Sequence, residues 1–386
     1  MPDPKNILSF KPPGELEKRI DEQCPDELNV YIDFKNIATA LYVEDVAKDI
    51  VFNSTGTKFL DSTIFQAVLY TISWWKKYSK ERGLKCNLYF FSDFGKSAYH
   101  REIHTGYKEN RAIANLKDPE LYEDLFKIRM KNSELSEKVI NKIPGCHFFY
   151  LSYLESDFVP YYLITRKITN KNAINVICSN DKDMFQILEE DNIVQIYTMR
   201  GNRHLVDKDN CLISYTKLSK SSEKIQQDLI YQISKLEIAD IPMVMALVGD
   251  KSDDIPGVKG IGPKNAVRMI SESDTVEKTI GSGLIDRVAS GGNVFIDTDP
   301  EHATSKKWEA ALESNETVTK AYKMISYECL SRWLELKNSI EKINWIKYMD
   351  DILNKKDDIN KNSFIDALSK LDDIYLELED VENIFI

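Results

Sequence analysis

The stretch Val248-Gly249-Asp250-Lys251-Ser252-Asp253-Asp254-Ile255-Pro256-Gly257-Val258-Lys259-Gly260-Ile261-Gly262-Pro263-Lys264-Asn265-Ala266 holds two kinds of phosphate chemistry in one turn. Asp250 and Asp253 stand three apart at the end of the apolar run Ile241 to Val248, a spacing that shares one face of a helix. Two carboxylates about 4 Å apart repel by roughly 4 kcal/mol at an effective dielectric of about 20. A cation belongs beside them, and a hard divalent metal suits oxygen donors. Gly257, Gly260 and Gly262 then precede Pro263, which fits the first position of a helix from Lys264 to Ser271. Glycines let backbone N–H groups approach a ligand, and a helix N-terminus adds partial positive charge, so the loop can cradle a phosphate with Lys259, Lys264 and Arg268 nearby. Taken alone, a glycine turn is also what an ordinary helix-turn-helix corner requires.

Acids recur where apolar runs end. Leu28 to Ile32 stops at Asp33, Leu88 to Phe91 at Ser92-Asp93, His147 to Leu151 just before Glu155 and Asp157, and Ile174 to Cys178 just before Asp181 and Asp183. Ile193 to Tyr197 is a further strand, and helical patterns intervene, among them Ser62 to Arg82 and segments opened by Asp157 and Asp183. Alternating strands and helices imply an α/β fold with a largely parallel central sheet flanked by helices. Ligands of such sheets sit beyond the carboxyl ends of the strands. An isolated Asp there is most simply a helix cap. Four strands ending this way, with Asp250 and Asp253 added, exceed what capping needs, and a carboxylate cluster at one edge calls for two divalent cations.

The run from Gly249 to Ala266 resembles the helix-three-turn-helix of the flap endonuclease and 5′-to-3′ exonuclease family, which includes phage ribonuclease H-like 5′-nucleases. The resemblance extends over about Leu28 to Ile270 through Ile32-Asp33-Phe34, Asp93-x-x-Lys96-Ser97-x-Tyr99, Tyr107-Lys108-x-Asn110-Arg111 and Ser179-Asn180-Asp181-Lys182-Asp183, in that order. It implies a PIN-like 5′-nuclease fold with a helical arch. It also implies that Asp33, Asp93, Glu155, Asp157, Asp181, Asp183, Asp250 and Asp253 hold two Mg2+ ions, with Mn2+ as a substitute and K+ as a candidate at the glycine turn. In the same reading Asp33 and Asp181 are catalytic, Lys108 and Arg111 act at the scissile phosphate, Tyr107 stacks on a base, and Gly257, Gly260, Gly262 and Lys264 grip the duplex. One motif departs: the family shows Glu-x-Asp-Asp, and this chain reads Leu154-Glu155-Ser156-Asp157-Phe158. Either Phe158 replaces the last acid, or Asp157 is the last acid and Glu155 has shifted.

The resemblance divides the chain into an extension (1–27) without a clear period, a nuclease core (28–235) with its arch at about 106–143, the helix-three-turn-helix with supporting helices (236–345), and an acidic segment (346–386). By itself the arch stretch reads as a solvated basic hairpin with few core positions. After Lys108 and Arg111 it becomes the element that clamps a single strand. His100 and His104, four apart, lack a third His or Cys nearby and make a poor metal pair. Trp74 and Trp75 suit the rim and core of a helix, Trp308, Trp333 and Trp345 suit helix packing, and Gly281 to Asn293 reads as a loop.

With 42% hydrophobic and 29% charged residues the chain has the make-up of a soluble globular protein, without a membrane-length apolar run or a signal-peptide core. Six scattered cysteines without a Cys-x-x-Cys pair argue against a disulfide framework and fit a cytoplasmic chain, in the host cytoplasm if viral. The net charge of −11 is uneven: residues 350–386 contribute −7, whereas Lys251 to Arg268 has four basic residues against two acids. Local basic faces bind phosphate whatever the total charge. The expected activity is hydrolysis of phosphodiester bonds at 5′ ends, flaps or RNA primers, on branched or nicked duplex DNA or RNA–DNA hybrids, by a monomer. Its alternative is a catalytically inert relative that binds branched nucleic acid and recruits other proteins, which would have lost acids at the strand ends. The terminal Asn383-Ile384-Phe385-Ile386 either folds back on the core or plugs a sliding clamp or single-strand-binding protein.

Overall fold

The structure, a computed structural model, describes residues 13–37, 56–94, 97–109, 119–152, 154–166, 172–199, 202–218, 222–272, 283–295, 305–338, 345–354, 360–368 and 378–386. Six strands, β1 (Glu27–Asp33), β2 (Lys85–Phe94), β3 (Cys146–Ser152), β4 (Ala173–Cys178), β5 (Ile193–Met199) and β6 (Asn202–Val206), form one sheet in the order β3-β2-β1-β4-β5-β6. All neighbours are parallel except β5 and β6. The strand order reverses at β1, and a crevice for ligands opens beside such a switch point, at the carboxyl ends.

Side chains alternate between the two faces of a strand, so residue parity decides what each face carries. Leu28, Val30 and Ile32 of β1 lie with Leu88 and Phe90 of β2 in one core. Tyr31, Tyr89 and Phe91 lie in the other. Asp33 and Asp93 have the parity of this second set, so both acids project on the same side of adjacent strands. An asparagine ladder pins the register: Asn87 Nδ2 donates to Asn29 Oδ1 at 2.9 Å and Asn29 Nδ2 to Asn175 Oδ1 at 3.3 Å, and the three stand opposite one another across β2, β1 and β4. A one-residue slip would strand these buried amides and turn Asp33 to the wrong face.

On the first face pack helices α1 (Gly14–Gln23) and α2 (Gly56–Lys80), with Leu16, Ile20, Phe65, Val68 and Trp75 buried. α3 (Ala98–Ile103) leads towards the acids, and α4 (Pro119–Ile140) returns to the sheet. The second face is covered by α5 (Phe158–Thr165), α6 (Cys211–Thr216), α7 (Glu223–Ile233), α8 (Ile241–Val248) and α9 (Pro263–Ser271), then by α10 (Leu284–Ala289), α11 (Lys306–Glu313), α12 (Asn315–Ile325), α13 (Tyr327–Asn338) and α14 (Trp345–Leu353). α15 (Lys361–Leu368) and α16 (Leu378–Ile384) cross back to the first face through Phe364 and Ile384. Among the described residues no helix is long and apolar enough to cross a membrane.

Several expectations need correction. Residues 13–27 are not an appendage: Leu16 and Ile20 of α1 enter the core and Arg19 pairs with Asp207. The end of the expected arch is core as well, since Asn132, Ser133, Ser136 and Ile140 are buried and Ser133 Oγ lies 3.1 Å from Ser92 Oγ. Part of the expected loop 281–293 is α10, which buries Leu284 and Val288. The helical segment expected after Asp183 is present as a short 3-10 helix, Asp183–Ile187. The end of the chain folds back: Ile384 is buried, Phe385 packs on Phe364 with centroids 5.1 Å apart, and Asp380 accepts from Ser73 at 3.0 Å. Ile384 is therefore committed to the core and is not available as a clamp plug. Trp75 and Trp308 are buried, and Trp74, Trp333 and Trp345 pack partly buried on the two cores, as expected.

Candidate active site

The acids converge beyond the carboxyl edge of the sheet. Asp33 ends β1, where its Oδ1 accepts the Lys35 N–H at 2.9 Å and its Oδ2 the Ser179 hydroxyl at 3.3 Å. Ser179 follows β4 and its Oγ also accepts the Asp181 N–H, while Gln195 of β5 donates to the carbonyls of Ser179 and Asp181, both at 2.8 Å. The Ser179–Asp181 loop is thus clamped from β1 and β5. Asp181 Oδ1 in turn accepts the Asp183 N–H at 3.0 Å. Capping does explain one oxygen of Asp33 and one of Asp181. It does not explain Asp157, which precedes α5 but makes no side-chain cap.

Glu155, Asp157, Asp181, Asp183 and Asp253 line one crevice with Lys108, Tyr107, His100 and Tyr327. Lys108 Nζ lies 2.8 Å from Glu155 Oε2 and 3.8 Å from Asp253 Oδ2, and its backbone, at φ 58, donates to the Asp253 carbonyl at 3.2 Å. Burial pushes the Glu155 carboxyl up, but Lys108 and then His100 outweigh it and set the value at about 2. The same balance holds the Lys108 ammonium above its ordinary range: burial opposes the charge, and Glu155, Asp253 and Asp93 prevail. Asp33 is raised to about 6, first by burial and then, against Lys35, by Asp93 and Asp181. Burial followed by neighbouring carboxylates also pushes Asp157 and Asp183 well up, with Glu155 and Asp181 acting on the former and Asp181, Asp157, Asp253 and Asp250 on the latter.

That electrostatic load tests the fit of a metal. The donors are all carboxylates, the set a hard divalent cation prefers, and Asp157 Oδ1 is buried with no hydrogen-bond partner. A cation would offset both the burial and the mutual repulsion that raise Asp33, Asp157 and Asp183. The fit therefore holds in chemistry, although no three His, Cys, Asp or Glu among the described residues are drawn together into a ready-made ion cage. Asp33, Asp181 and Asp250 each spend Oδ1 on a backbone N–H of their own loop.

The structure separates Asp250 from Asp253. α8 ends at Val248, Gly249 takes φ 70, and Asp250 bridges to Ile255 in a turn, so the two acids do not share a helical face. Asp253 enters the crevice. Asp250 faces a neighbouring groove of about 530 Å³ with Asp183, Lys182, Lys217, Lys251, Gly262 and Lys264. The glycines also divide. A Cβ on Gly257 would collide with the Val248 carbonyl, so Gly257 serves the crossing of the turn rather than a ligand. Gly260 takes φ +85, whereas Gly262 has an ordinary backbone and open space around it. Arg268 is bound to Asp228 of α7 at 2.6 Å, and Lys264 lines the groove.

Tyr107 is not presented to a base: it is buried, stacked on His100 with centroids 4.5 Å apart, beneath the Lys108 ammonium at 4.8 Å. His100 is fixed by Ser97 Oγ at 2.7 Å and Met324 O at 2.8 Å, a structural role. Phe158, at the departing motif, is buried among Tyr161, Tyr162 and Tyr327, while both Glu155 and Asp157 reach the crevice. Arg111 lies outside the described residues. Sequence reasoning missed Gln195, Gln186 and Tyr327. Gln195 left a signal as a polar residue within the apolar run Ile193 to Tyr197.

A parallel sheet with acids at its switch point, followed by two helices joined by a glycine turn, is the fold of the PIN-like 5′-nucleases. Residues 236–326 match the family model of the 5′-3′ exonuclease C-terminal SAM fold. A 5′-3′ exonuclease of Aquifex aeolicus is 29% identical over 175 residues, 44% of this chain and 53% of that protein. DNA polymerase I of Streptococcus pneumoniae is 26% identical over 186 residues, 48% of this chain and 18% of that protein. The chain thus spans about half of the exonuclease and a smaller part of the polymerase. In structure it is similar to the bacteriophage T5 5′-exonuclease with bound zinc, at a TM-score of 0.52 and 17% identity over 85% of this chain and 98% of that one. A complex of the T5 flap endonuclease with DNA and metal ions gives 0.53 and 16% over 84% and 98%. The chain is thus similar in sequence to 5′-3′ exonucleases over about half its length, and in fold to the T5 enzyme.

Proposed function

We propose that this chain is a metal-dependent, structure-specific 5′-nuclease, acting as a monomer on 5′ ends, flaps or RNA primers of branched or nicked duplexes and RNA–DNA hybrids. Mg2+ is the natural cation, Mn2+ its substitute, and K+ a candidate at the glycine turn. The observation that carries this reading is the gathering of Glu155, Asp157, Asp181, Asp183 and Asp253 with Lys108 in one crevice at the switch point, with Asp33 and Asp93 of the adjacent strands acting on it.

Bound there, divalent cations supply Lewis acidity and charge neutralisation for phosphodiester hydrolysis. Asp33, Asp93, Glu155, Asp157, Asp181 and Asp183 would hold them, with Asp253 on the Lys108 side and Asp250 at the mouth of the groove. Lys108 stands ready to leave Glu155 for a phosphate oxygen and lend its charge as negative charge develops. Arg111 is assigned the same task. Lys182, Lys217, Lys251 and Lys264 line the groove, where a duplex backbone can lie against Gly262.

A 5′-labelled flap, a nicked duplex and an RNA-primed duplex, each incubated with Mg2+ or EDTA, test the reading. Short labelled products from at least one substrate with Mg2+, and none with EDTA, are expected. Binding without cleavage of any of the three, in Mg2+ and in Mn2+, would contradict it.

A further inference from the structure

Asp157 is held from 170 residues away: Tyr327, the first residue of α13, donates its phenol to Asp157 Oδ2 at 3.0 Å. The α12–α13 joint that carries Tyr327 offers three successive carbonyls, and each is taken by the nuclease core. Tyr99 Oη donates to Lys323 O at 2.6 Å, His100 Nε2 lies 2.8 Å from Met324 O, and Gln186 Nε2 donates to Ile325 O at 3.0 Å. Gln186 also accepts the Tyr327 N–H at 2.9 Å. Phe158 packs against the Tyr327 ring, with centroids 6.4 Å apart, and helps to seat the phenol.

With Oδ2 engaged, Asp157 keeps Oδ1 buried and without a hydrogen-bond partner. Carboxylates that bind metals are oriented by such outer hydrogen bonds, which sharpen affinity. His100 meanwhile stacks on Tyr107, the neighbour of Lys108. The joint therefore touches Asp157 directly and the Lys108 segment through His100.

We propose that Tyr327 is a positioning residue for the cation site: its hydroxyl fixes Asp157 through Oδ2 so that Oδ1 is the atom presented to a divalent cation. This rests on the nuclease reading above. Tyr327→Phe keeps the ring and removes only the hydroxyl. Calorimetric titration of the full chain with Mn2+ in the absence of DNA is expected to show an affinity about 10- to 100-fold lower than wild type. Flap cleavage should recover as Mn2+ is raised, so that half-saturation shifts more than the maximal rate. Added to an Asp157→Asn chain, Tyr327→Phe should cause no further loss of affinity. Equal Mn2+ affinity in wild type and Tyr327→Phe, or an undiminished extra loss in the Asp157→Asn background, overturns the role of Tyr327 and leaves the nuclease reading standing. A wild-type chain that binds no Mn2+ and cuts no flap overturns both.

Discussion

The acidic crevice and the basic groove meet at Asp183, which lines both, and they are built on opposite principles. The crevice has a free volume of only about 20 Å³, and its carboxylates come from the segments just beyond β3 and β4 and, for Asp253, from the turn after α8. The groove offers about 530 Å³ between the α6 end and the glycine turn, walled by lysines. A buried cluster of like charges gains from discrete cations and is sensitive to a single oxygen. A wide lysine-lined groove gains from many weak, screened phosphate contacts. Chemistry and grip should therefore be separable by mutation.

The largest effect is expected where a carboxylate is lost. Asp33→Asn or Asp181→Asn should abolish measurable cleavage while binding to branched DNA, followed by anisotropy, stays within several-fold, since the groove is untouched. Full activity in either variant would break the separation. Lys108→Ala should slow single-turnover cleavage by about 10²-fold with little change in affinity, as expected of a charge acting on the transition state. A fall in affinity alone would move Lys108 to the grip.

Gly262→Val sharpens the other side. Its backbone tolerates a side chain and its surroundings are open, so a bulkier residue obstructs a ligand rather than the fold. Duplex binding should weaken by about tenfold, or roughly 1.4 kcal/mol, with an unchanged melting temperature, and wild-type affinity should fall steeply with salt. Gly257→Val, by contrast, should fail through misfolding. The smallest effect concerns neither region: deleting Asn383 to Ile386 removes buried Ile384, worth about 1.5–3 kcal/mol, and should lower the melting temperature by a few degrees with cleavage retained.

How far the sequence foretold this differs between the two regions. Asp33 and Asp93 were legible because the end of an apolar run is a local pattern. The order of motifs located the rest of the crevice. Tyr327 and Gln186 were not legible, since a tyrosine opening a helix looks like core until the partner 170 residues away is known. α1 escaped notice because only Leu16 and Ile20 of its ten residues are buried, too few to show a period. The inner half of α4 escaped because it buries Asn132, Ser133 and Ser136, polar residues that read as a solvated face. Tyr107 was misread as a ligand contact because its motif could not reveal that His100 already covers its ring.

Crystals soaked in Mn2+ and measured at its absorption edge test the central claim most directly. Two anomalous peaks among Asp33, Asp93, Glu155, Asp157, Asp181 and Asp183 are predicted. No peak in that crevice, from protein that cleaves a 5′ flap in the same Mn2+ buffer, would contradict it.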